Sequence, residues 1–133
     1  MALVVLDASV VIAFLNPDDA LHEAAAAALS EHQHDDLVIP ASVDAEILVA
    51  PYRSGDEAVV EVETFLSDLA VRTQAITVEI ARSAARLRGG VRGLRLPDAF
   101  VLAVGDQLDA GIVLTGDASW AKVSDRVVVV RER

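Results

Sequence analysis

Short apolar runs alternate with helical patterns along the whole chain. Uninterrupted runs of Val, Ile and Leu predict strands, and apolar residues at helical spacing predict helices. The predicted strands cover residues 3–6, 37–39, 71–75, 112–114 and 127–130. The predicted helices cover residues 9–15, 19–32, 40–50, 56–69, 78–88, 97–109 and 118–122. Pro40 and Pro97 begin two of these helices, Asp18 is placed to cap the helix over 19–32, and Gly89 and Gly111 stop two others.

The order of these elements predicts the fold class. Strands separated by helices pair in parallel through right-handed crossovers. The runs at residues 3–6 and 112–114 are apolar without alternation, as expected for strands covered on both faces. A chain of 133 residues suits one domain with a buried core. We therefore expect a single domain, residues 1–133, built as a three-layer α/β/α sandwich around a central, mostly parallel sheet.

Four acids fall where such a fold places a ligand site. Asp7 directly follows the first predicted strand, and Asp117 follows the fourth after a short gap. Asp98 lies in the first turn of a predicted helix, and Glu46 lies within another. In open parallel sheets the ligand site lies beyond the carboxyl ends of the strands. Two strand ends and two helices are therefore expected to bring these carboxylates together.

Several carboxylates in one place need a cation. They repel one another, and each would shift toward protonation if left alone. Hard oxygen ligands with open water positions suit Mg²⁺, for which Mn²⁺ can substitute. A cation held in this way orients a phosphodiester, lowers the pKa of an attacking water and stabilises the developing oxyanions. The acids therefore indicate a metal-dependent nuclease.

Each acid taken alone has a simpler interpretation. Asp7 and Asp117 are both placed to cap the short helix that follows them. Asp98 is favoured by the positive end of its helix dipole. Glu46 is harder to explain in this way, because its helix is apolar around it and a buried charge needs a partner or a metal. The four together are much less expected by chance than any one of them.

Four short motifs surround these acids. They are VLDAS at residues 5–9, PASVDAE at 40–46, LPDAFVLA at 96–103 and LTGDASW at 114–120. Each motif is weak alone, but the ordered set covers essentially the whole chain. In this order and spacing they resemble the PIN-domain ribonucleases, and most of all the VapC toxins of bacterial toxin–antitoxin pairs.

The resemblance implies the fold predicted above, Mg²⁺ as cofactor and an endoribonuclease activity. The metal site would consist of Asp7, Glu46, Asp98 and Asp117. Ser9 and Thr115 match hydroxyl positions near that site, where they would orient the carboxylates and metal-bound water. The implied partners are a structured RNA as substrate, a small antitoxin protein that occupies the site, and a second copy of the chain in a homodimer.

The charge distribution adds a possible RNA contact. The net charge of −10 argues against broad electrostatic binding of nucleic acid. Five of the eleven cationic residues nevertheless fall between residues 82 and 95. The candidates for contact with RNA phosphates are Arg86, Arg88, Arg92 and Arg95. The alternative is that Arg82 and Arg86, at i, i+4 spacing, line a solvated helix face.

Other sequence features narrow the function further. There is no cysteine, no apolar run long enough to span a bilayer and no pattern typical of a signal peptide, so we expect a cytoplasmic protein. Two other functions stay open. One is a catalytically silent RNA- or protein-binding module on the same fold. The other is a phospho-acceptor signalling domain, although a lone Asp7 ends the first strand and Lys122 is in the wrong setting for one.

Overall fold

The computed structural model describes residues 2–132. Within them, five strands form one sheet, and six α-helices pack around it. The strands are β1 Leu3–Leu6, β2 Asp36–Pro40, β3 Arg72–Gln74, β4 Ile112–Thr115 and β5 Val127–Val129. The helices are α1 Ala8–Leu15, α2 His22–Glu31, α3 Ala41–Ser54, α4 Asp56–Asp68, α5 Val78–Gly90 and α6 Leu96–Gln107, and a 3₁₀ helix covers Ala118–Lys122. Within residues 2–132, none of the helices has the length and apolar character needed to cross a membrane.

Every strand pairing in the sheet is parallel, and the strand order is β3-β2-β1-β4-β5. The chain moves outward from central β1 through β2 and β3 on one side, and through β4 and β5 on the other. This reversal creates a topological switch point between β1 and β4, which is where open α/β sheets bind ligands. Leu6 pairs with Leu114, so the loops that follow β1 and β4 are neighbours.

The central strands are buried on both faces. Val4, Val5 and Leu6 of β1 each have 0% relative exposure. Successive residues of a strand point to opposite faces of the sheet, so both faces must be covered by helices. This burial confirms the three-layer α/β/α sandwich with a parallel central sheet.

The connection between α1 and α2 differs from the prediction. α2 begins at His22, and Asp18 does not cap it. Instead, the side chain of Asn16 accepts a hydrogen bond from the amide of Asp18 at 3.0 Å, and that of Asp19 accepts one from the amide of Leu21 at 2.8 Å. Short polar side chains stabilise turns through such local bonds. Asp18 and Asp19, which were predicted at the start of a helix, therefore lie in turns.

Two helices extend past their predicted ends. α3 continues through Pro51 to Ser54, and α5 continues through Gly89 to Gly90. A proline removes one hydrogen bond from a helix. The helix nevertheless continues for three residues beyond Pro51, and it packs against α4 and β2.

A glycine brings α6 close to the sheet. A Cβ atom added at Gly105 would lie 2.7 Å from Cγ2 of Val113, which is fully buried in β4. Only glycine fits at this spacing, because a β-branched side chain in a packed core has little room to move. The close approach fixes the helix that carries Asp98 against the strand that leads to Asp117.

Candidate active site

Asp7 is held at the switch point by two hydroxyl groups. Its side chain is only 8% exposed, and its Oδ2 accepts hydrogen bonds from the hydroxyls of Ser9 at 2.7 Å and Thr115 at 2.9 Å. Burial raises the pKa of Asp7 above its usual range, the two hydroxyls oppose that shift, and the charge of Asp98 adds to it. The side chain makes no capping bond to α1, so capping does not explain this acid.

The same two hydroxyls connect the loops that follow β1 and β4. The Thr115 hydroxyl donates to Asp7 and accepts a bond from the amide of Asp117 at 3.1 Å. The Ser9 hydroxyl donates to Asp7 and accepts one from the amide of Gly116 at 2.9 Å. Each hydroxyl therefore acts as donor and acceptor, which fixes its orientation and that of the Asp7 carboxylate. The resemblance implied such a role for both residues toward a metal site, which stays a prediction.

Asp98 lies in the first turn of α6, and its side chain is mostly buried. Its Oδ2 is 3.5 Å from Nε of Arg95, whose side chain is 75% exposed, so the ion pair between them is weak. The charge of Asp98 raises the pKa of both Asp7 and Glu46. Asp98 is therefore within electrostatic reach of both carboxylates.

Glu46 does not lie on an apolar helix face, so this prediction is wrong. Glu46 is exposed, whereas Val43 and Ile47 are the buried residues of α3. At 3.6 residues per turn, Glu46 is rotated by about 60° from Val43 and about 100° from Ile47, at the edge of the buried stripe. Partial desolvation raises its pKa, the charges of Asp7 and Asp98 raise it further, and Arg95 opposes the shift. Glu46 is thus within electrostatic reach of Asp7 and Asp98, although it is not part of the buried core.

Asp117 is exposed and is held by Ser119. Its Oδ1 accepts hydrogen bonds from the hydroxyl of Ser119 at 2.6 Å and from the amide of Ser119 at 2.9 Å. The Ser119 hydroxyl lowers the pKa of Asp117, desolvation opposes this, and Arg95 lowers it further. The carboxylate caps the 3₁₀ helix, as the simpler interpretation predicted. Both bonds use Oδ1, so Oδ2 is not involved in the cap.

The donor set fits a hard divalent cation. Among residues 2–132, no three acidic or histidine side chains are already arranged to hold an ion directly. The available donors are carboxylate oxygens, which Mg²⁺ and Mn²⁺ prefer. Two of them, on Asp7 and Glu46, have raised pKa values, so a nearby positive charge would favour their ionised forms.

A family model for the PIN domain matches residues 4–126. The chain belongs to the PIN-domain family. The matched segment includes the strand ends and helices that carry Asp7, Glu46, Asp98 and Asp117, and it confirms the resemblance drawn from the four motifs. No curated protein sequence matches the chain.

Several solved structures share this PIN fold. A toxin–antitoxin complex from Klebsiella pneumoniae superposes with a TM-score of 0.76 at 20% identity, over 98% of this chain and 99% of that chain. Mycobacterium tuberculosis VapC20, a toxin that cleaves the sarcin–ricin loop, gives a TM-score of 0.74 at 21% identity, over 91% and 95%. FitAB bound to a DNA fragment gives 0.77 at 21% identity, over 95% and 94%. At these identities, the likeness shows a shared fold.

The candidate arginines of the PIN domain divide into two groups. Arg92 and Arg95 line a pocket of about 300 Å³ that also contains Asp98 and Asp117. Arg86 and Arg88 are exposed on α5 and do not line this pocket. The pocket therefore brings half of the predicted basic set beside two of the acids.

Sequence reasoning did not single out Lys122 as a candidate site residue. Lys122 lies at the end of the 3₁₀ helix and lines the same pocket as Arg92 and Arg95. It is the only lysine of the chain, and it follows Asp117 by five residues. Its closeness to a candidate catalytic acid was the signal that could have identified it.

Proposed function

We propose that this PIN domain is a Mg²⁺-dependent endoribonuclease. The observation that carries the proposal is the buried Asp7 carboxylate at the switch point, oriented by Ser9 and Thr115 and within electrostatic reach of Asp98 and Glu46. A buried acid whose pKa is raised by burial and by a second acid is a common feature of functional sites. Its position beyond the ends of parallel strands is also the usual position of a ligand site.

Asp7, Asp98 and Asp117 are the residues proposed to hold the metal, with Glu46 as a further ligand or as the group that positions the attacking water. When bound, Mg²⁺, or Mn²⁺ in its place, supplies an activated water and charge stabilisation for the phosphodiester oxygens. Ser9 and Thr115 keep the Asp7 carboxylate in one orientation. Glu46, which is exposed and has a raised pKa, is suited to accept a proton from the attacking water.

We further propose that the chain is the toxin of a toxin–antitoxin pair and acts as a homodimer. The support is the fold shared with VapBC2 from Rickettsia felis, with a TM-score of 0.75 at 13% identity over 94% of this chain and 96% of that chain, and with the toxins described above. A small antitoxin would then cover the site until the toxin is released. The substrate would be a structured RNA.

An RNA cleavage assay with Asp98→Asn tests the ribonuclease proposal. We expect wild type to cut RNA with Mg²⁺ and not with EDTA, and Asp98→Asn to cut at least about 10³-fold more slowly. A metal contributes several kcal/mol to such a reaction, and each 1.36 kcal/mol corresponds to a factor of ten. Asp106→Asn is the matched control, because Asp106 lies in the same helix and pairs with Arg126 on the surface.

Cleavage that persists in Asp98→Asn would overturn the site assignment. If wild type binds RNA tightly but cuts none with any divalent metal, the silent binding module becomes the better function. If it cuts RNA while its cleavage is unaffected by EDTA, the metal assignment is wrong.

Thr115→Val should weaken metal binding without unfolding the protein. Valine has nearly the same shape, but it removes the hydroxyl that orients Asp7 and accepts the amide of Asp117. Changes to groups that orient metal ligands typically reduce metal affinity or activity by about 10–100-fold, and we expect a loss of this size in Mn²⁺ affinity by calorimetry. Thr115→Ser should restore it. Equal affinity in Thr115→Val and wild type would show that the hydroxyl does not orient the site.

A further inference from the structure

The pocket of about 300 Å³ lies beside the acids, between the α5–α6 connection and the 3₁₀ helix. We infer that Lys122 contacts a phosphate of a nucleotide of the bound RNA in this pocket, next to the scissile phosphate. The inference rests on the ribonuclease function proposed above, and it adds a residue that contacts the substrate.

Part of the pocket lining is apolar. Leu94 and Trp120 are buried beneath it, with 6% and 1% relative exposure, and the half-buried Val91 and Val123 also line it. An apolar lining next to acids is not needed for metal binding. It suits the flat face of a nucleobase, because proteins read RNA mainly through unstacked bases that pack on apolar, aromatic or guanidinium surfaces.

The rest of the lining combines cations with the candidate metal-site acids. Arg92, Arg95 and Lys122 are all exposed, and all three line this one pocket. They are three of only eleven cationic residues in a chain with a net charge of −10. A local excess of cations in an acidic protein favours an anionic ligand. The combination of apolar and cationic surface matches a nucleotide better than a bare phosphate.

The volume sets the size of the ligand. A pocket of about 300 Å³ is at the lower end of the roughly 300–1,000 Å³ typical of small-molecule sites. That space suits a single nucleotide.

Lys122 is the cation with the most direct structural connection to the acids. The 3₁₀ helix Ala118–Lys122 begins immediately after Asp117, and the Asp117 carboxylate caps it through Ser119. Lys122 is therefore five residues from Asp117, at the other end of the same short helix. The ammonium group of lysine, on its flexible side chain, can bind a phosphate oxygen without the planar geometry of an arginine contact. Lys122 would act as a positioning residue for the substrate.

The single lysine makes a direct chemical test possible. A short single-stranded RNA with a periodate-oxidised 3′ ribose carries a dialdehyde that forms an imine with a nearby primary amine, and cyanoborohydride then reduces the imine. Lys122 and the α-amino group are the only primary amines of the chain. The reaction is run on the wild-type chain in EDTA, so no cleavage takes place, and peptide mass mapping locates the adduct.

We expect Lys122 to be labelled at least about tenfold faster than the α-amino group, and excess unmodified single-stranded RNA to suppress that labelling. Fully paired duplex RNA and inorganic phosphate should compete much less well. Labelling of Lys122 that single-stranded RNA does not suppress overturns the inference. Suppression by inorganic phosphate as strong as by RNA also overturns it, because the pocket would then recognise a phosphate alone.

The salt dependence of RNA affinity gives a second measurement. A purely structural role of Lys122 would leave this salt dependence unchanged. Loss of one phosphate contact reduces the slope of log affinity against log salt by about 0.7 for a single strand. We expect this change in Lys122→Gln, together with a severalfold weaker affinity for single-stranded RNA in EDTA. Arg72→Gln is the control, because Arg72 lies on β3 at the opposite edge of the sheet. An unchanged slope in Lys122→Gln overturns the phosphate contact.

These measurements separate the two proposals. Because both are made in EDTA, they succeed or fail regardless of whether the protein cuts RNA. Competed labelling in a chain that never cleaves RNA would leave the nucleotide pocket standing and remove the nuclease. Metal-dependent cleavage without labelling of Lys122 that RNA suppresses would support the nuclease function and overturn the role of Lys122.

Discussion

Asp7→Asn will abolish metal-dependent RNA cleavage and, at neutral pH, make the metal-free protein more stable. The asparagine carbonyl can still accept the hydroxyls of Ser9 and Thr115, which now bond to Oδ2. The substitution removes a negative charge that the proposed metal needs, so we expect cleavage to fall by at least about 10³-fold. It also removes a buried carboxylate that is costly to ionise without a metal.

The stability gain should depend on pH in a defined direction. Burial raises the pKa of Asp7 in the folded state, so the folded protein binds this proton at higher pH than the unfolded chain does. The stability contributed by Asp7 is therefore fully present below its unfolded pKa and is lost as pH rises through the folded pKa. Above that point Asn avoids the cost, so the gain of Asp7→Asn should be largest at neutral pH and should vanish in acid. The raised pKa of Glu46 acts in the same direction, and because the charge of Asp7 contributes to it, Asp7→Asn also relieves part of the cost of ionising Glu46.

Denaturant unfolding of wild type and Asp7→Asn across pH measures this effect, and Mg²⁺ provides an independent check. A ligand that binds only the folded state raises the melting temperature. Mg²⁺ should do so for wild type and not for Asp7→Asn. Asp125→Asn, at an exposed turn position, should behave as wild type in every respect. If Mg²⁺ also raises the melting temperature of Asp7→Asn, Asp7 is not a required metal ligand.

The fold was predictable because its strands are apolar throughout. The runs at residues 3–6 and 112–114 identified buried parallel strands, and the structure buries Val4, Val5 and Leu6 completely. The turns between α1 and α2 were not predictable in the same way. Asn16 and Asp19 use their side chains for local turn bonds, whereas the same residue types would also be suitable as helix caps.

The closeness of the loops that carry Asp7 and Asp117 could be predicted, because each loop follows an apolar parallel strand, and the two strands are neighbours in the sheet. The exposure of Glu46 could not be predicted. A helix pattern gives the angle between residues on one helix, but the edge of the buried stripe depends on how the neighbouring helices pack. Lys122 was missed for a related reason. Only the folded chain places the 3₁₀ helix against the α5–α6 connection, where Arg92 and Lys122 line one pocket.

Trp120→Ala should produce the largest loss of stability among the variants proposed. Trp120 is among the largest fully buried side chains of the chain, and it lies directly after the loop that carries Asp117. Truncating a buried tryptophan to alanine typically costs about 3–5 kcal/mol, through lost burial and the cavity that remains. That is a large fraction of the roughly 5–15 kcal/mol that holds an ordinary domain folded. Urea unfolding followed by circular dichroism measures the loss, because the fluorescence of the single tryptophan disappears with the substitution.

Trp120→Phe separates packing from the polar role of the indole. Phenylalanine keeps most of the apolar volume, so we expect a cost well below that of Trp120→Ala. It removes the indole N–H, a minor contributor to the lowered pKa of Asp117, to which the Ser119 hydroxyl contributes most. Cleavage should therefore be close to wild type in Trp120→Phe. A stable Trp120→Phe protein with strongly reduced cleavage would mean that the indole contributes to the site beyond its packing in the core.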